Sequence, residues 1–328
     1  MFKSIGWIVV TATIVLFLFS SLRHELFQST LLDLGFFDQA LYLLSTGQNP
    51  IVSFVGYHIL GDHAAFIFYP IALFYVIAPS VYWLFVIQAL VLALGAVPVW
   101  CLAINAGLKP SLAKILSVVY LLYPLVFNIN LFDFHTEVIA VPLLLYAVLF
   151  ARQNKFTWFC FTILLIMACK EVLTLTVIFL GIWFLLEKKY KFGSAAIVAG
   201  ICGFVLSTQI IIPMFTEMGV RALTRYDYLG NSMLEVLRNG IQNPGLILDH
   251  LITLRNLKYI LLLIVLLAWG LHPSCLIPLI GAVPTVLLNL LTEYTPQKDL
   301  IHQYSLPALP FLVLALILAL ASGRNWLK

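Results

Sequence analysis

Long uncharged apolar runs alternate with short charged segments along the chain. A transmembrane helix needs about 20 mainly apolar residues, so most of these runs predict one membrane crossing each. The longest run exceeds one crossing; whether it forms one span or two is open, but His272-Pro273-Ser274 supplies a break that favours two. The pattern predicts an all-α, polytopic transmembrane helix bundle of about ten spans. The runs cover residues 5–22, 81–108, 115–132, 138–151, 156–169, 172–186, 192–216, 259–292 and 304–323.

The composition agrees with a membrane protein. The 328 residues are 62% hydrophobic and 10% charged, and the mean hydropathy is +1.05, whereas soluble domains have about 45–50% apolar and about 25% charged residues. A soluble enzyme and a disordered chain are therefore excluded, and the solid apolar blocks exclude a β-barrel porin. The net charge of +4 is too small to predict a nucleic-acid interface. Five cysteines lie in or beside apolar runs without metal or redox spacing, which predicts core residues: Cys101, Cys160, Cys169, Cys202 and Cys275.

The basic residues predict the orientation in the membrane. The first run follows Lys3 and lacks a cleavage site, which predicts a retained anchor. By the positive-inside rule, we expect both termini in the cytoplasm and the chain in the plasma (inner) membrane. Every Asp and Glu except Glu187 then falls on the outer side. The basic residues of every second loop are Lys109, Lys114, Arg152, Lys155, Lys188, Lys189, Lys191, Arg324 and Lys328.

We interpret residues 1–328 as a single integral membrane domain with two long outer segments. Residues 23–80 form the first outer loop; its apolar piece is too short to cross the membrane and predicts interfacial helices. Residues 217–258 form the second outer segment and predict further short interfacial helices. The sequence shows no internal repeat.

Charged residues at the outer ends of the middle spans are the first candidates for chemistry. Arg152 and Lys155 can snorkel to the inner interface, so the charges drawn below the outer headgroups are Glu137, Lys170 and Glu171. A charge at that depth must face a polar cavity or a partner. Three runs are too short to cross a bilayer core of about 30 Å, so we expect their helices to continue through charged residues. These runs are 138–151, 156–169 and 172–186.

Asp133 and Glu137 are four residues apart and are predicted to share a helix face. Lys170 lies at the top of the next hairpin, and we expect it to contact Asp133 or Glu137 across helices. Two compatible interpretations follow. The group is a buried ion-pair network that fixes helix packing, or it is the polar wall of a substrate cavity.

Asp33 and Asp38 lie in the first outer loop, where on one helix they would diverge by about 140°. Both can face one ligand only if the helix breaks at Gly35. Asp33 would then cap the following helix while Asp38 faces the cavity. Asp62-His63 places a carboxylate next to an imidazole in the same loop. We interpret this dipeptide either as part of a turn or as part of a site.

Two further groups lie on the predicted outer side. Arg221 and Arg225, four residues apart, could hold a phosphate through charge-assisted hydrogen bonds or anchor the chain at lipid headgroups. His302 and Tyr304 open the last span. His302 is interpreted either as a ligand or as a hydrogen-bonded interfacial histidine.

These motifs together resemble an uncharacterised prokaryotic family of predicted polytopic membrane proteins, over almost the whole chain. That family is similar in layout to the GT-C glycosyltransferases, such as protein mannosyltransferases and the lipid A aminoarabinose transferases. The motifs are Asp33-Leu34-Gly35-Phe36-Phe37-Asp38-Gln39, Asp62-His63 with Pro70 and Pro79, Phe132-Asp133-Phe134-His135-Thr136-Glu137, Cys169-Lys170-Glu171-Val172 and Gln303-Tyr304-Ser305-Leu306-Pro307.

The resemblance implies a membrane glycosyltransferase with a polyprenyl phosphate sugar donor that arrives through membrane lipid. It implies a general base in the first outer loop, which here is Asp38 or Asp33, and a divalent metal ion as a possible cofactor. Those enzymes often have adjacent acids or acids around one residue, whereas four residues intervene here. Together with these acids, the candidate substrate-binding residues of the chain are Asp62, His63, Asp133, His135, Glu137, Lys170, Glu171, Arg221, Arg225, His302 and Tyr304.

Two other functions compete with this hypothesis. A transporter or flippase for a lipid-linked or small polar substrate would use Glu137, Lys170 and Glu171 as coupling charges. Transporters tend to place such groups at the midplane of two related halves, and here they gather at one face. An assembly protein would use the same charges only to fix its structure.

Overall fold

The computed structural model describes residues 2–217, 219–230 and 232–324 and is all-helical, with no β-strand in those ranges. Lys328, one of the residues used for orientation, lies outside them. The α-helices in chain order are α1 (Phe2–Glu25), α2 (Phe36–Ser45), α3 (Ile59–His63), α4 (Phe68–Ile77), α5 (Tyr82–Leu94), α6 (Ala96–Asn105), α7 (Pro110–Leu121), α8 (Pro124–Leu131), α9 (Glu137–Arg152), α10 (Phe156–Cys169), α11 (Leu173–Leu186), α12 (Tyr190–Val205), α13 (Ile212–Phe215), α14 (Met233–Gln242), α15 (Pro244–Leu251), α16 (Leu254–Ile264), α17 (Val283–Leu291) and α18 (Leu309–Ala321). The π-helices are Leu31–Gly35 and Leu206–Ile211, and the 3₁₀ segments are Arg221–Tyr226, Ala268–Gly270, Pro273–Cys275, Ile277–Ala282, Thr295–Lys298 and Gln303–Ala308.

Five helical stretches are long and apolar enough to cross a membrane: Ser4–Glu25, Tyr82–Asn105, Pro110–Leu131, Tyr190–Phe215 and Thr295–Ala321. Shorter apolar helices accompany them: Phe68–Ile77, Phe156–Cys169, Leu173–Leu186 and Ile277–Leu291. The described residues thus form a membrane helix bundle, as the sequence predicts.

The helices α11 and α12 pack along a seam of glycines. A Cβ atom added at Gly181 would lie 2.8 Å from the Gly193 carbonyl oxygen, and one added at Gly200 would lie 2.8 Å from the Thr174 carbonyl oxygen. These distances are below van der Waals contact, so a larger residue at either position would separate the helices. Small residues allow this close backbone approach between helices in a membrane.

The long run 259–292 is broken, as its proline predicts, but over a wider stretch. α16 ends at Ile264, and α17 begins only at Val283 after irregular backbone and short 3₁₀ turns. The start of α16 contacts the end of α17, where the Asn256 side chain donates a hydrogen bond to the Leu290 carbonyl oxygen (2.9 Å). The segment therefore consists of two short α-helices, α16 and α17, joined by irregular backbone and 3₁₀ segments.

The expectation that α10 and α11 continue through charged residues is wrong. α10 ends at Cys169, and Lys170 adopts an extended conformation (φ −167°, ψ 142°) before α11. The backbone at this end finds partners outside the helix: Thr136 Oγ1 donates to the Cys169 carbonyl (2.7 Å), and the Glu171 amide donates to the His63 carbonyl (3.2 Å). These bonds give the Cys169 carbonyl and the Glu171 amide partners outside the helix, which allows α10 to end here.

Candidate functional site

Asp133 and Glu137 do not share a helix face, because α9 begins only at Glu137 and Asp133 lies in the irregular stretch before it. Asp133 is fully buried and accepts hydrogen bonds from Arg23 Nη1 (2.8 Å) and from the Thr30 amide (2.9 Å). The same Arg23 nitrogen donates to the Phe132 carbonyl. Asp133 therefore ties the C-terminal end of α1 to the start of α9.

Lys170 and Glu137 form a buried ion pair. Lys170 Nζ donates to Glu137 Oε1 at 2.8 Å, and the two side chains are 8% and 5% exposed. The predicted contact across helices is confirmed, with Glu137 as the partner and not Asp133. Glu137 Oε2 is buried and has no hydrogen-bond partner among the residues that the structure describes. Such tight burial favours the interpretation as an ion pair that fixes packing over that as an open cavity wall.

Asp33 is held by His135. His135 Nε2 lies 3.2 Å from Asp33 Oδ1, and its Nδ1 lies 3.1 Å from the Asp133 carbonyl oxygen. A carbonyl oxygen only accepts, so the hydrogen bond to Asp133 requires a hydrogen on Nδ1. Burial raises the pKa of Asp33, but the hydrogen bond and charge of His135 outweigh it and lower that pKa below its usual value. Asp33 is thus kept ionised.

The expectation that Asp33 caps a helix is wrong. Thr30 is the N-cap of the π-helix Leu31–Gly35, since its side chain accepts from the Asp33 amide (3.3 Å). The Thr30 hydroxyl also lies 3.0 Å from Asp33 Oδ2. Both carboxylate oxygens of Asp33 therefore have protein contacts.

Asp38 has different partners from Asp33. It lies in the first turn of α2 and is partly buried, and Tyr75 Oη of α4 donates to its Oδ1 at 2.7 Å. Its other oxygen, Oδ2, has no hydrogen-bond partner within the described ranges. Asp38 is thus an oriented carboxylate with one free oxygen. Asp33 lies in the π-helix and Asp38 in α2, and the two acids have different hydrogen-bond partners.

His63 lies between two carboxylates. Its Nδ1 is 3.1 Å from Glu171 Oε2, and its Nε2 is 3.3 Å from Asp62 Oδ2. Burial lowers the pKa of His63, but the charges of Asp62 and Glu171 outweigh it and raise that pKa above its usual value. Tyr57 Oη also donates to Asp62 Oδ1 (3.3 Å). This group joins the first outer loop to the link between α10 and α11.

We expect replacement of His63 to destabilise the protein only where the ring is charged. A raised pKa means that its contribution is complete below about pH 6.5 and is lost as the pH rises through the folded-state value. His63→Gln should lower the melting temperature in detergent clearly at pH 6 and little at pH 9. Burial lowers the pKa of His58, so His58→Gln should not show a loss confined to low pH. An equal loss for His63→Gln at both values would contradict the charged state.

Arg221 and Arg225 do not converge on one point. They lie on a 3₁₀ helix, in which residues four apart are about 120° apart instead of about 40°. Arg221 donates to Tyr57 Oη and lies 4.0 Å from Asp62 Oδ1. Arg225 donates to Gln297 Oε1 (3.0 Å). Their predicted joint grip on one phosphate is therefore wrong, and each can serve only separately.

Tyr304 and His302 have different contacts, with Arg225 and with Asp299, respectively. Tyr304 Oη accepts from Arg225 Nη2 (3.3 Å), and its ring lies 5.0 Å below that guanidinium. His302 Nδ1 lies 2.9 Å from Asp299 Oδ2, and its ring meets the Phe132 ring edge-on at 4.7 Å. The interpretation of His302 as a hydrogen-bonded histidine agrees with this geometry.

Metal ligands are not grouped in the described ranges: no three His, Cys, Asp or Glu side chains there are placed to hold an ion. An apolar groove of about 640 Å³ runs between α1 and the α7–α8 pair. It extends to Asn130 and Leu131, next to Phe132 and the charged group. A lipid chain in this groove would bring its head towards those charges.

Sequence reasoning missed the residues that orient the acids. Arg23 and Thr30 hold Asp133, Tyr75 holds Asp38, and Tyr57 holds Asp62. Arg23 carried a usable signal, because a lone arginine at the outer end of a span needs an acidic partner. The tyrosines carried none, since each occurs among many aromatic residues.

Comparison with known proteins identifies the family but not an activity. The family described as "Predicted membrane protein (DUF2079)" matches residues 23–328. No curated protein and no solved structure matches the chain. None of these findings links it to the GT-C glycosyltransferases. The chain belongs to the DUF2079 family of predicted membrane proteins.

Proposed function

We propose that this protein is a membrane glycosyltransferase that moves a sugar from a polyprenyl phosphate donor to an acceptor at the outer face of the membrane. The observation that carries the proposal is Asp38, whose Oδ1 is fixed by Tyr75 while Oδ2 is free among the described residues. A general base needs this combination of fixed orientation and an open oxygen within reach of the acceptor hydroxyl.

In the proposed step, Asp38 Oδ2 takes the proton of the acceptor hydroxyl. The hydroxyl oxygen forms a bond to the anomeric carbon as the bond from that carbon to the phosphate oxygen breaks. The electron pair stays on the phosphate, which leaves as polyprenyl phosphate. The transition state resembles an oxocarbenium ion, and a nearby carboxylate stabilises it.

We assign Arg221 to the leaving phosphate. Its guanidinium lies 5.6 Å from the Tyr57 ring, and that ring lies 6.3 Å from the ring of Phe36, which begins the helix that carries Asp38. The Arg221 side chain is 52% exposed, so it can reach a ligand. The groove between α1 and α7–α8 supports the same proposal, because its size and apolar lining suit a prenyl chain.

The direct test is turnover of a panel of polyprenyl phosphate sugars by purified protein in liposomes. Release of polyprenyl phosphate is followed with an added acceptor extract and with water alone. We expect at least one donor to be consumed by the natural protein and not by Asp38→Asn. Absence of turnover for every donor, with a correctly folded protein, would argue against the proposal.

We expect Arg221→Gln to lower kcat/KM for the donor about tenfold, since a charge-assisted hydrogen bond to the leaving phosphate is lost. Steady-state kinetics with varied donor concentration measures this ratio. Arg238→Gln removes an exposed arginine of the same outer segment and serves as the control. Equal effects of the two substitutions would remove Arg221 from the phosphate site.

A further inference from the structure

A second cavity lies at the opposite end of the bundle from the charged group. It has a volume of about 530 Å³ and is lined by α6, α9, α11 and α18. Arg152, which lines it, ends the helix that Glu137 begins, and the 16 residues of α9 place these two ends about 23 Å apart. This cavity is therefore separate from the candidate site.

The cavity has an apolar body and a polar mouth. Leu102, Val148 and Leu314 contribute to its wall, whereas Asn105, Arg152 and Gln153 are polar residues of its lining. The polar residues all lie at or beside helix ends, and all three are exposed. A ligand that fits this division has an apolar chain and a polar head.

Glu187 orients the Arg152 side chain but does not use all of its hydrogen-bond donors. Its Nη2 donates to Glu187 Oε1 at 2.6 Å, and Trp183 Nε1 donates to the same oxygen at 2.9 Å. A guanidinium has five N–H donors, and within the described ranges the remaining ones have no protein acceptor. The side chain is 32% exposed. Glu187 thus holds the guanidinium at the cavity while leaving donors for a ligand.

We propose that this cavity binds an anionic lipid, with the phosphate on Arg152 and the upper part of the chain against the apolar wall. Arginine binds phosphate through charge-assisted hydrogen bonds, and basic pockets between transmembrane helices bind lipid head groups. The shared chemistry is a phosphate-headed amphiphile, which is either a bilayer phospholipid or a polyprenyl monophosphate. The inference is independent of the proposed glycosyl transfer.

Native mass spectrometry of the full chain, titrated with each lipid in mild detergent, tests this binding. The probes are phosphatidylglycerol, a polyprenyl monophosphate and, as the zwitterionic comparison, phosphatidylcholine. We expect Arg152→Gln to weaken binding of an anionic lipid about tenfold and to leave phosphatidylcholine unchanged. Whichever anionic lipid shows the larger loss identifies the source.

Two further variants separate binding from folding. Ala106→Phe places a ring in the cavity and leaves both residues of the Arg152–Glu187 pair in the sequence, and it should weaken binding of the same lipid. Lys155→Gln removes an exposed cation near this end and should have little effect. Equal binding of the three lipids to the natural protein, or unchanged anionic-lipid binding in both Arg152→Gln and Ala106→Phe, would overturn the proposal.

Discussion

Lys170→Met is expected to destabilise the protein by about 3–5 kcal/mol. Its partner Glu137 is nearly inaccessible, and one of its oxygens already lacks a hydrogen bond. Removal of Nζ would leave a buried carboxylate with no cation within contact distance. Denaturant unfolding in mixed micelles measures the change.

The double variant Lys170→Met with Glu137→Leu is the informative companion. It removes both charges and replaces them with apolar side chains, so it should recover much of the lost stability. Lys155→Met, at an exposed position, is the matched control and should change stability by less than about 0.5 kcal/mol. A double variant no more stable than Lys170→Met alone would contradict the assignment of the pair.

Asp38→Asn is expected to reduce sugar transfer by roughly 10²–10⁴-fold, the range for loss of a general base. The amide has nearly the same shape as the carboxylate and can still accept from Tyr75 Oη, so the fold should be kept. Only the ability to take a proton is lost. Initial rates at saturating donor, together with the melting temperature of each variant, separate the two effects.

Asp33→Asn is the matched comparison, because it is the same chemical change in the same loop. Both oxygens of Asp33 are engaged by His135 and Thr30, so we expect a loss of stability with most of the turnover retained. Tyr75→Phe should give a smaller loss of turnover than Asp38→Asn, since it only frees the orientation of the base. Loss of turnover in Asp33→Asn with normal turnover in Asp38→Asn would exchange the roles of the two acids.

The sequence predicted the class of the fold because apolar runs report membrane crossings directly. It also predicted that Lys170 needs an acidic partner, since a buried charge is costly whichever helices surround it. It did not predict that the partner is Glu137 alone. That choice depends on where α9 begins, and the residues before α9 are drawn out of the helix by Arg23, which is 110 positions away from Asp133 in the chain.

The local sequence pattern also did not predict where α10 ends and α11 begins, for a similar reason. Their apolar runs give no reason to stop at Cys169, and the hydrogen bonds that end the helix come from Thr136 and from the segment around His63. Likewise, the spacing of Arg221 and Arg225 was interpreted with α-helical geometry, whereas the chain forms a 3₁₀ helix there. Partners distant in sequence decide such details, and one sequence does not reveal them.

The glycine seam between α11 and α12 has a mechanical consequence. The backbones of these two helices approach closely at Gly181, Gly193 and Gly200, so we expect the helices to move together as one block. Any widening of the outer end that admits a lipid-borne molecule therefore hinges on other elements. The segment around His63 is hydrogen-bonded to that block, so we expect it to move with α11 and α12 and not against them.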